Sequence, residues 1–218
     1  MRVRIKRKTL LKITDSHKER NIYTHPFFLA RDIFWQRLEY VFEYLVRNTQ
    51  IQDKILDFGG GSGILCKSLS AFYKQVSIID LDVDDAINII KHYDLNNVKI
   101  INEDITTYKS KNKYSIIVAT DVLEHFFDLQ DPATFFSNFL RKNGILVVTL
   151  PTENKLYELG RLILNKTKPL DHYHSSKEVI NFLEKRNFEL IELKYVPRYL
   201  SVPIPLFEFA VFKFNGTQ

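Results

Sequence analysis

Cysteine is almost absent from this chain, with Cys66 the one example in 218 residues. A single thiol excludes an intramolecular disulfide framework and any zinc site built from several cysteines. It fits a reducing, cytoplasmic setting. Glycine and proline number only seven each, too few for a fibrous or low-complexity chain. No uninterrupted apolar stretch approaches the ~18 residues that a membrane-spanning helix needs. Thr9 to Ile13 is too short and too polar for the core of a signal peptide. No internal repeat is present.

What remains is ordinary globular material, 45% hydrophobic and 26% charged. The length suits one substantial domain and is short for two. We expect a single domain over 1–218, divided into an N-terminal arm and helix (1–50), a core (51–150), an insertion or lid (151–175) and a C-terminal helix with strands (176–218). The net charge is +5, and Arg2, Arg4, Lys6, Arg7, Lys8 and Lys12 crowd the first dozen residues. No aromatic side chain is interleaved there to stack on bases. The run reads as a solvated, frayed terminus, compatible with weak contact to an anionic membrane surface and not with nucleic acid as a partner.

Apolar residues recur at helical spacing from Leu29 to Arg47, at Ile33, Phe34, Leu38, Val41, Phe42 and Leu45. Strands and helices then alternate. Strands are expected at Lys54–Phe58, Gln75–Asp80, Val98–Asn102, Tyr114–Thr120 and Ile145–Leu150, with helices at Ile64–Phe72, Asp84–Tyr93 and Pro132–Leu140. Lys142-Asn143-Gly144 is a stop signal, with Gly144 as its left-handed residue. Ser175 or Ser176 caps a helix from Lys177 to Arg186, and Phe188–Val196 and Phe207–Phe214 close the chain as strands. Pro151, Gly160 and Pro169 mark an insertion with Leu156, Tyr157, Leu159, Leu162, Ile163 and Leu164. Pro197, Pro203 and Pro205 hold the last connection extended, with Tyr199, Leu200 and Leu206 along it. Alternation of this kind gives an α/β, Rossmann-like, doubly wound, mostly parallel seven-stranded sheet with helices on both faces.

The informative stretch is Ile55-Leu56-Asp57-Phe58-Gly59-Gly60-Gly61-Ser62-Gly63-Ile64-Leu65. A strand runs into glycines that permit positive φ and close backbone approach, and a helix follows. A dinucleotide fingerprint would place a small third residue at Ile64 or Cys66, and neither fits well. No G-K-[ST] tail of a phosphate loop follows. The D-x-G-x-G-x-G spacing of Asp57, Gly59, Gly61 and Gly63 resembles class I S-adenosylmethionine (SAM)-dependent methyltransferases. Downstream, Thr120-Asp121-Val122-Leu123-Glu124-His125 is similar to the "VLEH" signature of their small-molecule branch, which includes the ubiquinone-biosynthesis O-methyltransferases. Leu140-Arg141-Lys142-Asn143-Gly144 is similar to their turn before the fifth strand, with Asn143 in place of a glycine.

The resemblance covers about Ile55 to Val196 and implies SAM as cofactor, held by Asp57, Gly59, Gly61, Gly63, Asp80, Leu81, Asp104, Ile105 and Asp121. Asp80 ends a strand about twenty residues past the loop, where ribose hydroxyls are recognised; Asp82 is the alternative. Asp104 would meet the adenine amino group or cap a helix, with Leu81 and Ile105 flanking the ring. Asp57 would hold the loop and lie near the cofactor's amino group.

The implied activity is methyl transfer to an oxygen or nitrogen of a small molecule, conceivably apolar. A catalytically inactive SAM-binding regulator and a metal-dependent RNA 2′-O-methyltransferase are the alternatives. The Pro-Pro-aromatic motif of DNA amino-methyltransferases is missing after the fourth strand, and Cys66 lies on a helix, where it packs as an apolar residue. The acceptor pocket draws on Asp121, Glu124, His125, Asp171, His172, Tyr173 and His174, with His125, His172 and His174 as candidate catalytic groups. Asp121, Glu124 and His125 have a D-x-x-E-H spacing that converges on a helix starting near Asp121. In some relatives a comparable element holds a divalent cation, to which His172 or His174 would add a ligand. In others it caps the helix or lines the pocket. We assign no metal ligand from the sequence.

Overall fold

The computed structural model of the protein describes residues 3–14, 22–163, 171–197 and 205–216. It forms two compact units, Met1–Ser110 and Lys111–Gln218. Arg2, Leu164, Pro169, Tyr199, Leu200 and Pro203 lie outside the described residues.

The first unit opens with helix α1 (Arg7–Ile13), a 3-10 turn (Ile22–Thr24) and helix α2 (Phe28–Asn48). The basic N-terminus is not the solvated arm expected of it. Val3 and Ile5 are 3% exposed and Leu10 is fully buried. Arg4 donates from Nε and Nη2 to both carboxylate oxygens of Glu39, at 2.7 and 3.0 Å, and from Nη1 to Asp32 at 2.5 Å. The hydrogen-bonded Glu39 carboxylate, and then Asp32, raise the guanidinium pKa against the opposing effect of partial burial. Apolar residues alternate with the bases here, and that pattern outweighs the charge. On α2, Leu38, Val41, Phe42 and Leu45 are buried as their spacing requires, joined by Trp35.

Strands β1 (Lys54–Phe58), β2 (Gln75–Ile79) and β3 (Val98–Ile101) pair in the order β3-β2-β1, all parallel. Helices α3 (Cys66–Phe72) and α4 (Asp84–Tyr93) connect them. The α3 helix begins at Cys66 rather than Ile64, because Gly63 N–H to Gly60 O and Cys66 N–H to Gly63 O hold the preceding residues in turns. Cys66, Ile78 and Ala86 form a small core with Ile90, Leu95, Val98 and Ile100 around it. Burial, reinforced by the nearby Asp57 charge, raises the thiol pKa, so Cys66 is packed and inert.

The second unit holds β4 (Tyr114–Thr120), a 3-10 turn (Leu123–His125), α5 (Gln130–Phe139), β5 (Leu140–Pro151), α6 (Lys155–Ile163), α7 (Ser176–Glu184), β6 (Phe188–Val196) and β7 (Phe207–Phe214). Its order is β4-β5-β7-β6, with β7 antiparallel to both neighbours. Ser175 and Glu178 form a reciprocal cap on α7. Lys142-Asn143-Gly144 falls inside β5, beside a register shift in its pairing with β4. The left-handed residue there is Asn143 (φ 61°), not Gly144. Gly144 is required for space instead, since a Cβ would meet Arg141 O at 2.8 Å. Among the described residues the seven strands give the expected α/β class, mostly parallel and Rossmann-like, with β7 alone running antiparallel to its neighbours.

The loop glycines separate two constraints. Gly61 (φ 47°) and Gly63 (φ 69°) are both left-handed, but a Cβ on Gly63 would lie 2.8 Å from Ala86 Cα, whereas one on Gly61 would lie 3.8 Å from Asp80 Oδ2. Each alanine substitution therefore carries about 1–2 kcal/mol of backbone strain, and Gly63→Ala adds overpacking of about 1–3 kcal/mol. Urea denaturation should show a clearly larger loss for Gly63→Ala than for Gly61→Ala. Equal losses would contradict this packing.

Candidate functional site

The glycine loop leaves β1 with Gly59, Gly61 and Gly63 all at positive φ. Gly59 N–H donates to Ile79 O at 2.9 Å, tying the loop to the end of β2. Asp80, the next residue, braces it. Its Oδ2 accepts from Gly61 N–H at 2.8 Å and its Oδ1 from Asp82 N–H at 2.9 Å. Asn102 Nδ2 donates to the backbone oxygens of Asp80 and Leu81 at 3.1 and 2.8 Å, fixing that turn from the end of β3. Asp82 serves the start of α4, with its Oδ1 accepting from Asp84 N–H at 3.4 Å. Of the two acids considered for ribose, Asp80 is the one against the glycines.

Asp57 lies beneath them. It is 1% exposed, and its Oδ1 has no hydrogen-bond partner. Burial, and then the negative charge of Asp80, push its pKa up to about 7. Two carboxylates thus converge on the loop, one of them buried without compensation, an arrangement that suits a cationic ligand. Leu81 is 71% exposed, unusual for a leucine following a buried strand, and Ile105 is half-buried. Asp104 Oδ1 accepts from Thr106 N–H at 2.8 Å and Thr106 Oγ1 at 2.7 Å, so it caps its own turn. These bonds hold its pKa below the usual carboxylate value. Open space over Gly61, an uncompensated acid and an exposed apolar side chain together fit an adenosine-bearing cation such as SAM.

The second unit carries a separate polar cluster. Asp121 follows β4 with φ 50°, and Glu153 follows β5 with φ 52°. Non-glycine residues at such angles are strained and concentrate at functional sites. Asp121 N–H donates to Thr149 O at 2.9 Å, and Thr149 Oγ1 donates to Asp121 Oδ1 at 3.0 Å. Leu123–His125 is a 3-10 turn rather than the α-helix expected from Asp121, so the three D-x-x-E-H side chains do not gather on one helical face. The group that assembles is Glu124, His125 and His172, with one ligand atom from each lying within 4.8 Å of the others.

His125 and His172 stack edge to face, 4.6 Å between ring centroids. His125 Nδ1 lies 2.9 Å from Asp171 Oδ2, and His172 Nδ1 lies 2.8 Å from Glu153 Oε1. Both Nδ1 atoms are turned to carboxylates, which orients each ring. Tyr173 N–H donates to Glu124 O at 2.8 Å and fastens the two segments. His174 stands apart, with Nε2 3.3 Å from Phe127 O. Glu153 escaped the sequence reading; its signal was an acid just beyond the carboxyl end of a parallel strand, where ligands bind in such sheets.

A family model described as a methyltransferase domain matches residues 19–193, and the chain belongs to that family. With its D-x-G-x-G-x-G loop and Asp80, it is a SAM-dependent methyltransferase. It is similar to the ubiquinone biosynthesis O-methyltransferase of Rickettsia canadensis (strain McKiel), 26% identical over 171 residues that cover 72% of each chain. Its fold resembles the N-methyltransferase NodS from Bradyrhizobium japonicum WM9 in complex with S-adenosyl-L-homocysteine (TM-score 0.68, 14% identity, covering 95% of this chain and 97% of that one). It also resembles the magnesium protoporphyrin IX methyltransferase ChlM from Synechocystis PCC 6803 with bound S-adenosyl-L-homocysteine (TM-score 0.69, 15% identity, 89% and 91%).

The raised pKa of Asp57 gives a pH test. A carboxyl that holds its proton up to about pH 7 when folded, and to about pH 4 when unfolded, contributes stability that is full below pH ~4 and lost as pH rises through about 7. Asp57→Asn removes this dependence. Thermal unfolding without cofactor should show the variant gaining on the wild type from pH 5 to pH 8, with a steepest slope of about 1.4 kcal/mol per pH unit. Parallel curves would mean that Asp57 is already ionised at pH 5.

Proposed function

We propose that this protein transfers the methyl group of SAM to a hydroxyl oxygen of a small, partly apolar molecule, and that Glu124, His125 and His172 hold a divalent cation that orients the acceptor. The carrying observation is the pair of stacked histidines, each with its Nδ1 on a carboxylate, gathered with Glu124. Two imidazoles and a carboxylate are a donor set suited to zinc, manganese or iron. A carboxylate behind each ring fixes its tautomer and raises the basicity of the other nitrogen.

SAM, when bound, supplies a methyl group already activated for in-line displacement. The chain's own part is positioning. Asp80 and the glycine loop would fix the adenosine, and Asp57 would favour the cationic ligand. Asp171 and Glu153 would hold His125 and His172 in place. A divalent cation at that cluster would lower the pKa of a coordinated hydroxyl. The ubiquinone biosynthesis O-methyltransferases among the relatives support oxygen as the acceptor atom. An apolar acceptor is supported by Phe127 and Tyr173, 81% and 48% exposed, which meet edge to face at 5.5 Å beside the cluster. Leu159 and Leu162 on α6 are likewise exposed.

One observation favours a second reading. The 2.9 Å contact between His125 and Asp171 is also the geometry of a general base backed by an acid, needing no metal. Titration with manganese or zinc ions separates the two. Under the cation reading the wild type binds one ion, and His172→Ala and Glu124→Gln each weaken binding by about tenfold or more. Absence of cation binding by the wild type, or binding unchanged in His172→Ala, would leave the His125–Asp171 base as the surviving account.

A further inference from the structure

We propose that the outer edge of β6 is a contact between two copies of this chain, paired antiparallel about a two-fold axis at Leu193. Among the described residues β6 ends the strand order, bonded to β7 on one side with no strand beyond it. Open edges of this kind invite pairing, and proteins that remain monomeric blunt them with charges and bulges. The bulge in β6 falls between Leu190 and Glu192, so Glu192–Val196 stays in regular register with β7. That segment, Glu192 to Val196, presents two exposed apolar side chains beside its two charges. Leu193 and Tyr195 within it are 38% and 53% exposed.

The sequence of the edge selects the occupant. Leu193 and Tyr195 pair with Ala210 and Glu208, and Glu192 and Lys194 with Val211 and Phe209, so the two sets lie on opposite faces of the sheet. An antiparallel pair centred on Glu192 would set that acid against itself, and one centred on Lys194 would oppose two lysines. Centred on Leu193, the same strand is self-complementary. Leu193 meets Leu193, and Glu192 meets Lys194 twice. Lys194 Nζ already forms an ion pair with Glu192 Oε1 within the single chain; across the axis the same charges exchange partners. A two-fold contact must be built from one patch meeting itself, and cross-strand pairs of opposite charge and of apolar side chains are those that stabilise adjoining strands.

Sedimentation velocity of the full chain over a concentration series, without cofactor or acceptor, tests this. The wild type should show a concentration-dependent dimer. Glu192→Lys alone and Lys194→Glu alone should each weaken dimerisation by about tenfold or more, since each creates two like-charge oppositions. The double exchange Glu192→Lys/Lys194→Glu should restore it. Circular dichroism and the thermal midpoint confirm that each variant is folded, and both side chains are partly exposed. A wild type that remains monomeric throughout, as when another chain or nothing covers this edge, overturns the proposal. So do single variants that dimerise like the wild type, or a folded double variant that stays as weak as the singles.

Discussion

The 2.8 Å hydrogen bond from Gly61 N–H to Asp80 Oδ2 organises the first unit's site. It joins the tip of the loop after β1 to the residue that ends β2, and it exists because a strand can run directly into glycines that take left-handed angles. Gly63 then lets α4 pack against the loop through Ala86. Asp57 is enclosed as a consequence, without a partner for Oδ1 and close enough to Asp80 to feel its charge. Such an arrangement stores electrostatic cost. A cationic ligand placed against the two acids would relieve it.

The second unit uses the ends of its strands in a related way. Asp121 and Glu153 leave β4 and β5 with backbones that side chains seldom adopt. Thr149 holds the first by a hydrogen bond, and the second delivers its carboxylate to His172. Strain of this kind persists where the surroundings over-determine it. Here it aims Glu153 at His172, and the result is a compact cluster of Glu124, His125, His172, Asp171 and Glu153.

The glycine loop was legible because its function depends on spacing along the chain: D-x-G-x-G-x-G fixes a strand end, a turn and a backbone approach within seven residues. The strand ends near Asp80 were likewise legible from β-branched runs bounded by polar residues. Two features were not. The N-terminal run was read by charge, while Val3, Ile5 and Leu10 supply a buried face that Arg4 locks to Glu39; that pairing spans 35 residues and leaves no local trace. The histidine cluster was only half visible. His125 and His172 could each be named, but a 3-10 turn replaced the expected α-helix, removing Asp121 from the group and leaving His172 as its third member. Glu153 joined through a backbone angle that no pattern announces. Asp104, weighed as a contact to adenine or a cap, gives its Oδ1 to its own turn.

Everything above on the cofactor requires that the first unit's loop, braced by Asp80, bind SAM. Isothermal titration of the wild type and of Asp80→Ala with SAM, S-adenosyl-L-homocysteine and NADH tests it most directly. The wild type should bind the first two ligands and not the third. The variant should lose about tenfold to a hundredfold in affinity, as expected for a charged acceptor worth about 1.5–3 kcal/mol. A wild type that binds NADH instead, or a folded Asp80→Ala that binds SAM normally, would contradict it.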